Sequence, residues 1–424
     1  MLPLRSESMA YPQPNTRSLL SKIQFCMRQH TRAFLATLAF LVFVVILSSD
    51  FVQDNYVGNG HGLRLRGSSS SSSSETNGFG GAVHPGYFFT KDSQIDQHTF
   101  RFAAVTDMDQ LSKVADSKKP LFRSTLLPGI IQYDPSSNKY KIEFEETRTL
   151  TSHHNEAGRG MELSELTLYH NRLVTFDDRT GTVYEILNKN QGKDSFVVPR
   201  FVITEGDGDT DKGMKWEWAT VKGGDLYMGS MGKEYTNPDG SIANTNNLWI
   251  GVLTSSGELK RQDWTKEYNL VRQALGAQKP GYIIHEAVLW SPILKKWVFL
   301  PRRVSSEAYD EVKDERHGSN KVVLVDEHFT SAKVVEINMK NHDPLHGFST
   351  FAFVPGTNDE HALAIRSVEE GCVGGDESLC KQRTYFMVFN VLTGEVLMDE
   401  VQYKTDTKYE GVEFVNIFTP EPTY

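Results

Sequence analysis

From residue 98 onward, the chain alternates apolar and polar residues in short runs that turn signals separate. Examples are Leu166-Thr-Leu-Tyr169, Leu173-Val-Thr-Phe176 and Val183-Tyr-Glu-Ile-Leu187. Alternation with a period of two is typical of β-strands that bury one face. A helical pattern is confined to residues 264–275. The sequence therefore predicts an all-β fold.

The strands fall into five quasi-repeats, and each repeat opens with an acidic or hydroxyl side chain. These opening residues are Ser164, Glu217, Glu286, Ser349 and Glu410, at intervals of 53, 69, 63 and 61 residues. Units of this length, each with a few antiparallel strands, fit the blades of a five-bladed β-propeller. The fifth unit ends after its first strand, and the strands between residues 100 and 144 lack an opening residue of this kind. We therefore expect the N-terminal strands to complete the fifth blade and close the ring.

The five opening residues are candidate metal ligands, because the innermost strand of a propeller blade starts at the central channel. Three carboxylates and two hydroxyl groups would then converge on one axis. Like charges held together are costly unless a cation neutralises them. Oxygen ligands without sulfur or imidazole favour calcium over zinc. Acids that are simply solvated in a wet channel are the alternative.

A second group of charged residues follows the second strand of each repeat and should reach the same face of the ring. The group contains Asp107, Asp109, Asp177, Asp178, Arg179, Lys233, Glu234, Arg302, Arg303, Glu369 and Glu370. Acids that can hold a divalent metal, beside arginines that can grip phosphate oxygens, suit a metal–polyphosphate substrate. Each such residue alone is more often part of a surface ion pair, but their shared position in the repeat favours a site.

Charge is divided unevenly along the chain. The sequence has 45 Lys+Arg and 54 Asp+Glu, a formal net charge of −9, yet residues 1–32 hold five basic residues and one acidic residue, and residues 33–49 hold no charge. The acidic body excludes a role in coating nucleic acid. The uncharged stretch is just long enough to cross a bilayer, and the positive-inside rule puts its N-terminal side in the cytosol. We predict a basic cytosolic tail over 1–32 and a transmembrane signal-anchor over 33–49, with a cleaved signal peptide as the alternative.

Residues 50–97 are rich in Gly and Ser, including an unbroken serine run over 68–74. Such a composition cannot bury enough apolar surface to fold, so we predict a disordered tether followed by a folded domain over 98–424. Cys372 and Cys380 flank a turn-like loop. An oxidising compartment beyond the membrane favours a disulfide between them.

The motifs around these positions together resemble the apyrase family of calcium-activated nucleotidases. They are Gly158-Arg-Gly-Met-Glu-Leu-Ser164, Phe176-Asp-Asp-Arg-Thr-Gly181, Gly206-Asp-Gly-Asp209, Gly232-Lys-Glu-Tyr235, Gly281-Tyr-Ile-Ile-His-Glu286, Leu300-Pro-Arg-Arg303, Asp314-Glu-Arg316, His346-Gly-Phe-Ser349 and Lys408-Tyr-Glu-Gly411. The resemblance implies a five-bladed propeller with a central calcium that hydrolyses nucleoside di- and triphosphates, often UDP and GDP. Its calcium ligands match the five opening residues, and its important acids match Asp107 and Asp178. Anchored members of the family imply residence in the endoplasmic reticulum or Golgi.

The combined expectation is a calcium-dependent nucleoside diphosphatase, either a type II membrane protein with a luminal domain or a protein secreted after cleavage. Asp107 or Asp178 would position or deprotonate the attacking water. Arg179 and Arg302 would stabilise charge on the transferred phosphoryl group. The substrate-binding residues would be Asp109, Asp177, Lys233, Glu234, Arg303 and Glu369.

A weak homodimer is a further expectation. Two alternatives belong to other functional classes. One is a calcium-stabilised propeller that binds a glycan or a protein without catalysis. The other is a sugar-cleaving propeller with two carboxylates on either side of the glycosidic bond.

Overall fold

The computed structural model of the chain describes residues 93–189, 194–237, 241–372 and 380–417. The predicted tail over 1–32, the predicted signal-anchor over 33–49 and residues 50–92 of the predicted tether lie outside the described residues, and they stay predictions. Within the described ranges, no helix is both long enough and apolar enough to span a membrane.

One sheet joins the beginning of the described chain to its end. Its N-terminal strands are β1 (Gln94–Asp96), β2 (Thr99–Thr106), β3 (Phe122–Asp134), β4 (Lys139–Phe144) and β5 (Arg148–Ser152), and its last strand is β24 (Tyr409–Glu413). β24 pairs with β2 in antiparallel orientation, with Val105 opposite Gly411. The C-terminal strand therefore forms the innermost strand of a blade whose other strands come from the N-terminal side, as the repeat predicted.

β structure begins inside the segment predicted as tether, because β1 pairs with the start of β2. The Asp96 carboxylate explains the tight turn between them. It accepts hydrogen bonds from the His98 N–H at 2.8 Å and from the Thr99 hydroxyl at 2.9 Å. Such an Asp-anchored turn is a local sequence signal for ordered structure. The prediction of a tether up to residue 97 rested on the glycine and serine content further upstream and did not take this signal into account.

Each of the other four blades is a four-stranded antiparallel sheet built from consecutive strands. Blade 1 contains β6 (Leu163–Tyr169), β7 (Arg172–Asp177), β8 (Thr182–Lys189) and β9 (Asp194–Val202). Blade 2 contains β10 (Trp218–Lys222), β11 (Asp225–Gly229), β14 (Trp249–Leu253) and β15 (Leu259–Asp263), and the small hairpin β12 (Tyr235–Thr236) and β13 (Ile242–Asn244) is inserted in it.

Blade 3 contains β16 (Tyr282–Ser291), β17 (Lys296–Ser305), β18 (Lys321–Asp326) and β19 (Ala332–Glu336). Blade 4 contains β20 (Gly347–Phe353), β21 (His361–Glu370), β22 (Lys381–Asn390) and β23 (Val396–Gln402). The sheet that contains β24 is blade 5. The strands nearest the axis are β6, β10, β16, β20 and β24, one from each blade. Each of them contacts the innermost strands of the two neighbouring blades.

Helical structure is sparse. The helix expected over residues 264–275 is present as α1 (Thr265–Leu275), and a single turn, α2 (Glu311–Asp314), follows β17. Two 3₁₀ turns lie at Asp109–Ser112 and Asn246–Leu248. α1 ends at Gly276, whose φ of 68° is the left-handed conformation that glycine adopts without steric cost.

The hydrophobic core is divided among the five junctions between blades. Each junction is filled by one cluster of buried apolar side chains from the two blades that flank it. Phe102 of blade 5, for instance, packs against Phe386 of blade 4 with ring centroids 5.9 Å apart. Five junctions among five blades require a closed ring, so the predicted five-bladed propeller is confirmed.

The innermost strands approach one another closely at the junction of blades 5 and 1. A Cβ atom on Gly411 of β24 would lie 2.6 Å from the backbone of Glu165 and Leu166 on β6. Only glycine fits at this contact. The residue next to it, Glu410, is thereby held against the inner edge of blade 1.

Candidate active site

A β-bulge interrupts the innermost strand of blades 1, 3, 4 and 5 at the opening residue of the repeat. Ser164, Glu286 and Ser349 are skipped in the pairing of the first two strands of their blades. Glu410 is skipped in the same way between β24 and β2. Glu217 directly precedes β10, and its N–H donates to the Gly229 carbonyl opposite Trp218. Because a bulge re-aims a side chain out of the regular alternation, the same device acts at four of the five positions. Glu217 is placed instead by the segment that leads into β10.

The five opening residues are buried, and none is more than 8% exposed. The Arg302 guanidinium on β17 connects two of the carboxylates. Its Nη1 lies 3.0 Å from Glu410 Oε1 and also pairs with Glu286. The Ser349 hydroxyl donates to the Tyr409 carbonyl at 3.1 Å, beside Glu410. Side chains from blades 3, 4 and 5 thus meet at the axis, as the repeat predicted.

Two lysines, Lys215, which is half-buried, and Lys408, which is buried, complete the network of ion pairs. Lys215 lies 3.0 Å from Glu217 Oε1 and also pairs with Asp178. The second lysine, Lys408, reaches carboxylates of four residues. Its Nζ lies 2.7 Å from Asp107, 3.1 Å from Asp109, 3.0 Å from Glu369 and 3.4 Å from Glu410.

The sequence prediction did not include either lysine, although a signal was present. Lys215 stands two residues before Glu217, and Lys408 stands two residues before Glu410. A spacing of two on an extended segment puts both side chains on one face. The other three repeats have Glu162, Ile284 and Gly347 at that position, so a comparison of the repeats alone would not have found the lysines.

Burial governs the protonation of this network. Burial raises the pKa of Glu217 to about 8, and it raises the pKa of Glu286 and Glu410 as well. Burial opposes the charge of Lys408, but the surrounding carboxylates of Asp107, Asp109, Glu369 and Glu410 outweigh it and hold the lysine pKa well above its usual range. Buried carboxylates in this arrangement need cations close by in order to remain ionised.

The second predicted group divides into residues that line the central cavity and residues that do not. The cavity has a volume of about 260 Å³. Its lining contains Asp107, Asp109, Asp178, Lys215, Glu217, Met231, Ile284, Glu286, Arg302, Arg303, Tyr309, Glu311, Asp314, Glu315, Glu369, Cys372, Lys408 and Glu410. Of the predicted catalytic residues, Asp107, Asp178 and Arg302 lie in this lining and Arg179 does not.

Asp177 has a different place from the one predicted, since it faces into blade 1. It is fully buried, and burial raises its pKa to about 7. Its carboxylate accepts backbone hydrogen bonds from Met161 at 2.9 Å, Arg179 at 3.0 Å and Thr180 at 3.3 Å. Asp177 therefore shapes the turn that presents Asp178, and it does not itself reach the cavity.

Lys233 and Glu234 also lie behind the cavity wall and not on it. The Lys233 ammonium group sits 4.0 Å from the centre of the Tyr309 ring. Glu234 forms ion pairs with Arg272 at 2.8 Å and Lys279 at 3.0 Å. Both residues support the wall that Tyr309 presents. Glu370, next to the cavity-lining Glu369, pairs instead with Arg383 at 2.9 Å.

The donor set at the axis fits a hard divalent cation. Three carboxylates and two hydroxyls supply only oxygen, which is the preference of calcium. Within the described part of the chain, Ser164 Oγ is buried without a hydrogen-bond partner. A buried hydroxyl oxygen whose hydrogen-bonding capacity is unused is available to a metal ion.

A second group of oxygens could hold a cation beside the first. Carboxylate oxygens of Asp107, Asp109 and Glu162 lie within 4.8 Å of one another. However, this group already has two cations, because Arg159 lies 2.9 Å from Glu162 and 3.6 Å from Asp109, and Lys408 reaches both aspartates. The axial carboxylates are also paired, with Arg302, Lys215 and Lys408. The axial ring differs in having a buried hydroxyl oxygen, on Ser164, that has no partner among the described residues.

A closed propeller whose central cavity is lined by carboxylates and arginines has side chains of the kinds that hold divalent cations and phosphate groups in hydrolase sites. The apyrase family model matches residues 108–415, and the chain belongs to the apyrase family of nucleotidases, hydrolases that act on nucleotide phosphates. The family predicted from the motifs is thereby confirmed.

Relatives in the family cover most of the chain. An apyrase of Cimex lectularius is 38% identical over 318 residues, which are 74% of this chain and 82% of the relative. Soluble calcium-activated nucleotidase 1 of Rattus norvegicus is 37% identical over 74% of each chain. Apyrase apy-1 of Caenorhabditis elegans is 34% identical over 78% of this chain and 94% of the relative.

The two candidate cation sites can be separated by neutralising one acid of each. Glu286→Gln should weaken calcium binding by about tenfold or more, because a charged ligand of the axial ring becomes neutral. Glu162→Gln is the matched control and should leave the calcium affinity within about twofold, a small change on the scale of an uninvolved charge. Isothermal titration with calcium gives both affinities. Loss of binding in Glu162→Gln alone would place the metal at the other group of oxygens.

Proposed function

We propose that this protein is a calcium-dependent nucleoside diphosphatase that hydrolyses UDP and GDP, and also triphosphates, to the monophosphate and phosphate. The charge of the cavity is the observation that carries the proposal. Its lining has ten acidic residues and four basic residues. Such a wall repels a polyphosphate unless a divalent cation joins the two. The rat relative that is named calcium-activated supports calcium as that cation.

Ser164, Glu217, Glu286, Ser349 and Glu410 would hold the cation. When bound, calcium supplies positive charge that neutralises phosphate oxygens and polarises the phosphoryl group. The bulges at Ser164, Glu286, Ser349 and Glu410 and the ion pair of Glu217 with Lys215 keep these five side chains in place, so the ligands do not have to be assembled when the metal arrives.

Asp178 is better placed than Asp107 to act on the attacking water. Both oxygens of Asp107 are engaged, one by the Asp109 N–H at 2.8 Å and one by Lys408 at 2.7 Å. Asp178 pairs with Lys215 through Oδ2, and its Oδ1 finds no partner among the described residues. This oxygen is itself buried, so it can accept a hydrogen bond or a proton only from a water that enters beside it from the cavity.

The arginines and lysines of the cavity would stabilise the phosphate. Arg302 is fixed by Glu286, Glu369 and Glu410, so its guanidinium needs no rearrangement to face developing charge. Arg303 lies beside it in the cavity wall. The described lining contains no serine, threonine or histidine, and Cys372 is bonded to Cys380. Direct attack by water on the terminal phosphorus is therefore the mechanism that these side chains support.

Tyr309 would take the nucleobase. It is the single aromatic residue among the described residues of the cavity lining, and 36% of it is exposed. Tyr282 meets it edge-on at 5.2 Å, and Lys233 lies over its ring. An aromatic ring held from behind at the rim of a phosphate site suits stacking of a base.

We place this activity in the lumen of the endoplasmic reticulum or Golgi, on a protein held by the segment at 33–49, or outside the cell after cleavage. The charge asymmetry of the N-terminal region supports this orientation. The Cys372–Cys380 disulfide supports it independently, because disulfides persist in oxidising compartments.

Phosphate release by the full chain tests the proposal. UDP, GDP, ADP and ATP are assayed with calcium, with magnesium and with a chelator. Turnover should require calcium and be greatest for UDP and GDP. Equal turnover in chelator would eliminate the metal mechanism, and no release in any condition would favour the binding propeller.

Adjacent acids give a matched test of the catalytic assignment. Asp178→Asn should lower kcat by about 10²- to 10⁴-fold, since a positioned proton acceptor is lost, and the melting temperature should change little. Asp177→Asn should lower the melting temperature and change kcat much less than Asp178→Asn does, because the Asp177 carboxylate holds three backbone N–H groups of the turn. Steady-state kinetics and thermal unfolding measure both variants. A fully active Asp178→Asn enzyme would remove Asp178 from the site.

Tyr309→Ala tests base recognition. The KM for UDP should rise by about tenfold, as expected when one stacking contact is lost. Inorganic pyrophosphate lacks a base, so its hydrolysis or its inhibition of UDP turnover should be unchanged by the substitution. An equal loss with both phosphate compounds would show that Tyr309 supports the cavity as a whole and does not contact the base.

A further inference from the structure

The disulfide between Cys372 and Cys380 lies at the edge of the active site. Cys372 follows the end of β21 by two residues, and Cys380 immediately precedes β22. Their Cα atoms are 4.4 Å apart. Cys372 lines the cavity, so the bond closes the end of the β21–β22 pair where that pair borders the site.

The last rungs of this strand pair carry two side chains that touch the catalytic network. Glu369 is opposite Gln382, and Glu370 is opposite Lys381. Glu369 pairs with Arg302 and lies 3.0 Å from Lys408. Gln382 donates from its amide to Asp109 at 2.9 Å. One rung, the second from the disulfide, therefore contacts both a cation and an acid of the site.

The backbone next to the disulfide is also tied to another part of the cavity wall. The N–H groups of Gly371 and Cys372 donate to the Glu315 carboxylate at 3.2 and 2.9 Å. Glu315 directly follows α2 and lines the cavity. The disulfide end of blade 4 is thus joined to the loop that follows blade 3's second strand.

End rungs of a two-strand ladder open more easily than central rungs, because they have neighbours on one side only. A covalent bond just beyond the last rung suppresses this opening. The disulfide is partly accessible, since both cysteines are half-buried. A dithiol reductant can therefore reach it.

We propose that the Cys372–Cys380 disulfide is a redox-sensitive positioning element of the active site, which keeps Glu369 against Arg302 and Lys408 and keeps Gln382 on Asp109. The inference rests on the proposed function. Reduction proceeds by thiol–disulfide exchange. A thiolate of the dithiol attacks one cysteine sulfur and the other leaves as a thiolate, which is then protonated. The second thiol resolves the mixed disulfide, so the protein gains two thiols and the dithiol becomes oxidised.

Kinetics of the full chain in its two redox states test the proposal. The protein is assayed for UDP hydrolysis in calcium, before and after treatment with dithiothreitol. Reduction should lower kcat by about tenfold, the size of effect found when a partner that orients a site residue is lost, with less than about a twofold change in KM. Reoxidation should restore the rate. Cys372→Ser/Cys380→Ser should match the reduced enzyme and no longer respond to dithiothreitol, although it retains Cys26.

Two further variants separate positioning from general stabilisation. Arg383→Ala is the matched control: it breaks the Arg383–Glu370 ion pair on the same strand pair and should leave kcat within about twofold, as for a partly exposed pair away from the cavity. In Gln382→Ala, reduction should have a much smaller effect than in the parent, because the contact to Asp109 is already absent and the two changes are not additive.

Equal kcat in the oxidised and reduced enzymes would overturn the positioning role, even if reduction lowered the melting temperature. That result would leave the proposed function intact, because the oxidised chain would still hydrolyse UDP. An oxidised chain that releases no phosphate with any metal would instead overturn the proposed function. An undiminished effect of reduction in Gln382→Ala would exclude action through Asp109.

Discussion

Repulsion among buried carboxylates at the axis of the ring is the interaction on which the rest of the structure depends. Glu217, Glu286 and Glu410 come from three different blades and are all buried. Burial alone would leave them protonated, and ionising them requires positive charge within contact distance. Arg302, Lys215 and Lys408 supply part of it, each from a segment adjacent to the axis. The packing of the blades around the axis and the neutralisation of the buried carboxylates therefore depend on the same residues.

The propeller directs these side chains to the axis with a repeated backbone irregularity. A regular strand would point alternate side chains into the two flanking junctions, where the apolar clusters lie. A bulge at four of the five opening residues turns one side chain toward the axis and gives up regular pairing at that point. Four small departures from ideal sheet geometry thus contribute to one polar centre inside a ring whose junctions are apolar. The chemistry differs from blade to blade only in the side chain, serine or glutamate, at an equivalent backbone position.

The sequence predicted the blades and the axial ring because both recur at intervals of about sixty residues, and recurrence can be read without any structure. It predicted the second group less well, for a physical reason. Neighbouring residues at the end of a strand point in opposite directions, so Asp177 supports a turn while Asp178 faces the cavity. Lys233 and Glu234 follow their strand at the corresponding place, yet local packing against Tyr309 and Arg272 draws them away. Tyr309 itself lies in a connection outside the repeat, where no periodic signal exists. Contacts between distant segments, such as Gln382 with Asp109, have no counterpart in a single sequence.

Closure of the ring by β24 has a consequence for the order in which the protein matures. Lys408 and Glu410 lie at the start of that strand, which pairs with β2 from the far end of the domain. During synthesis, the strands of blades 1 to 4 are complete before Glu410, one of the three axial glutamates, and Lys408, one of the cations of the centre, have been added to the chain. The centre becomes complete only after nearly the whole domain has left the ribosome and β24 has docked. A chain that stops before β24 therefore lacks the innermost strand of blade 5, one axial acid and one cation of the centre.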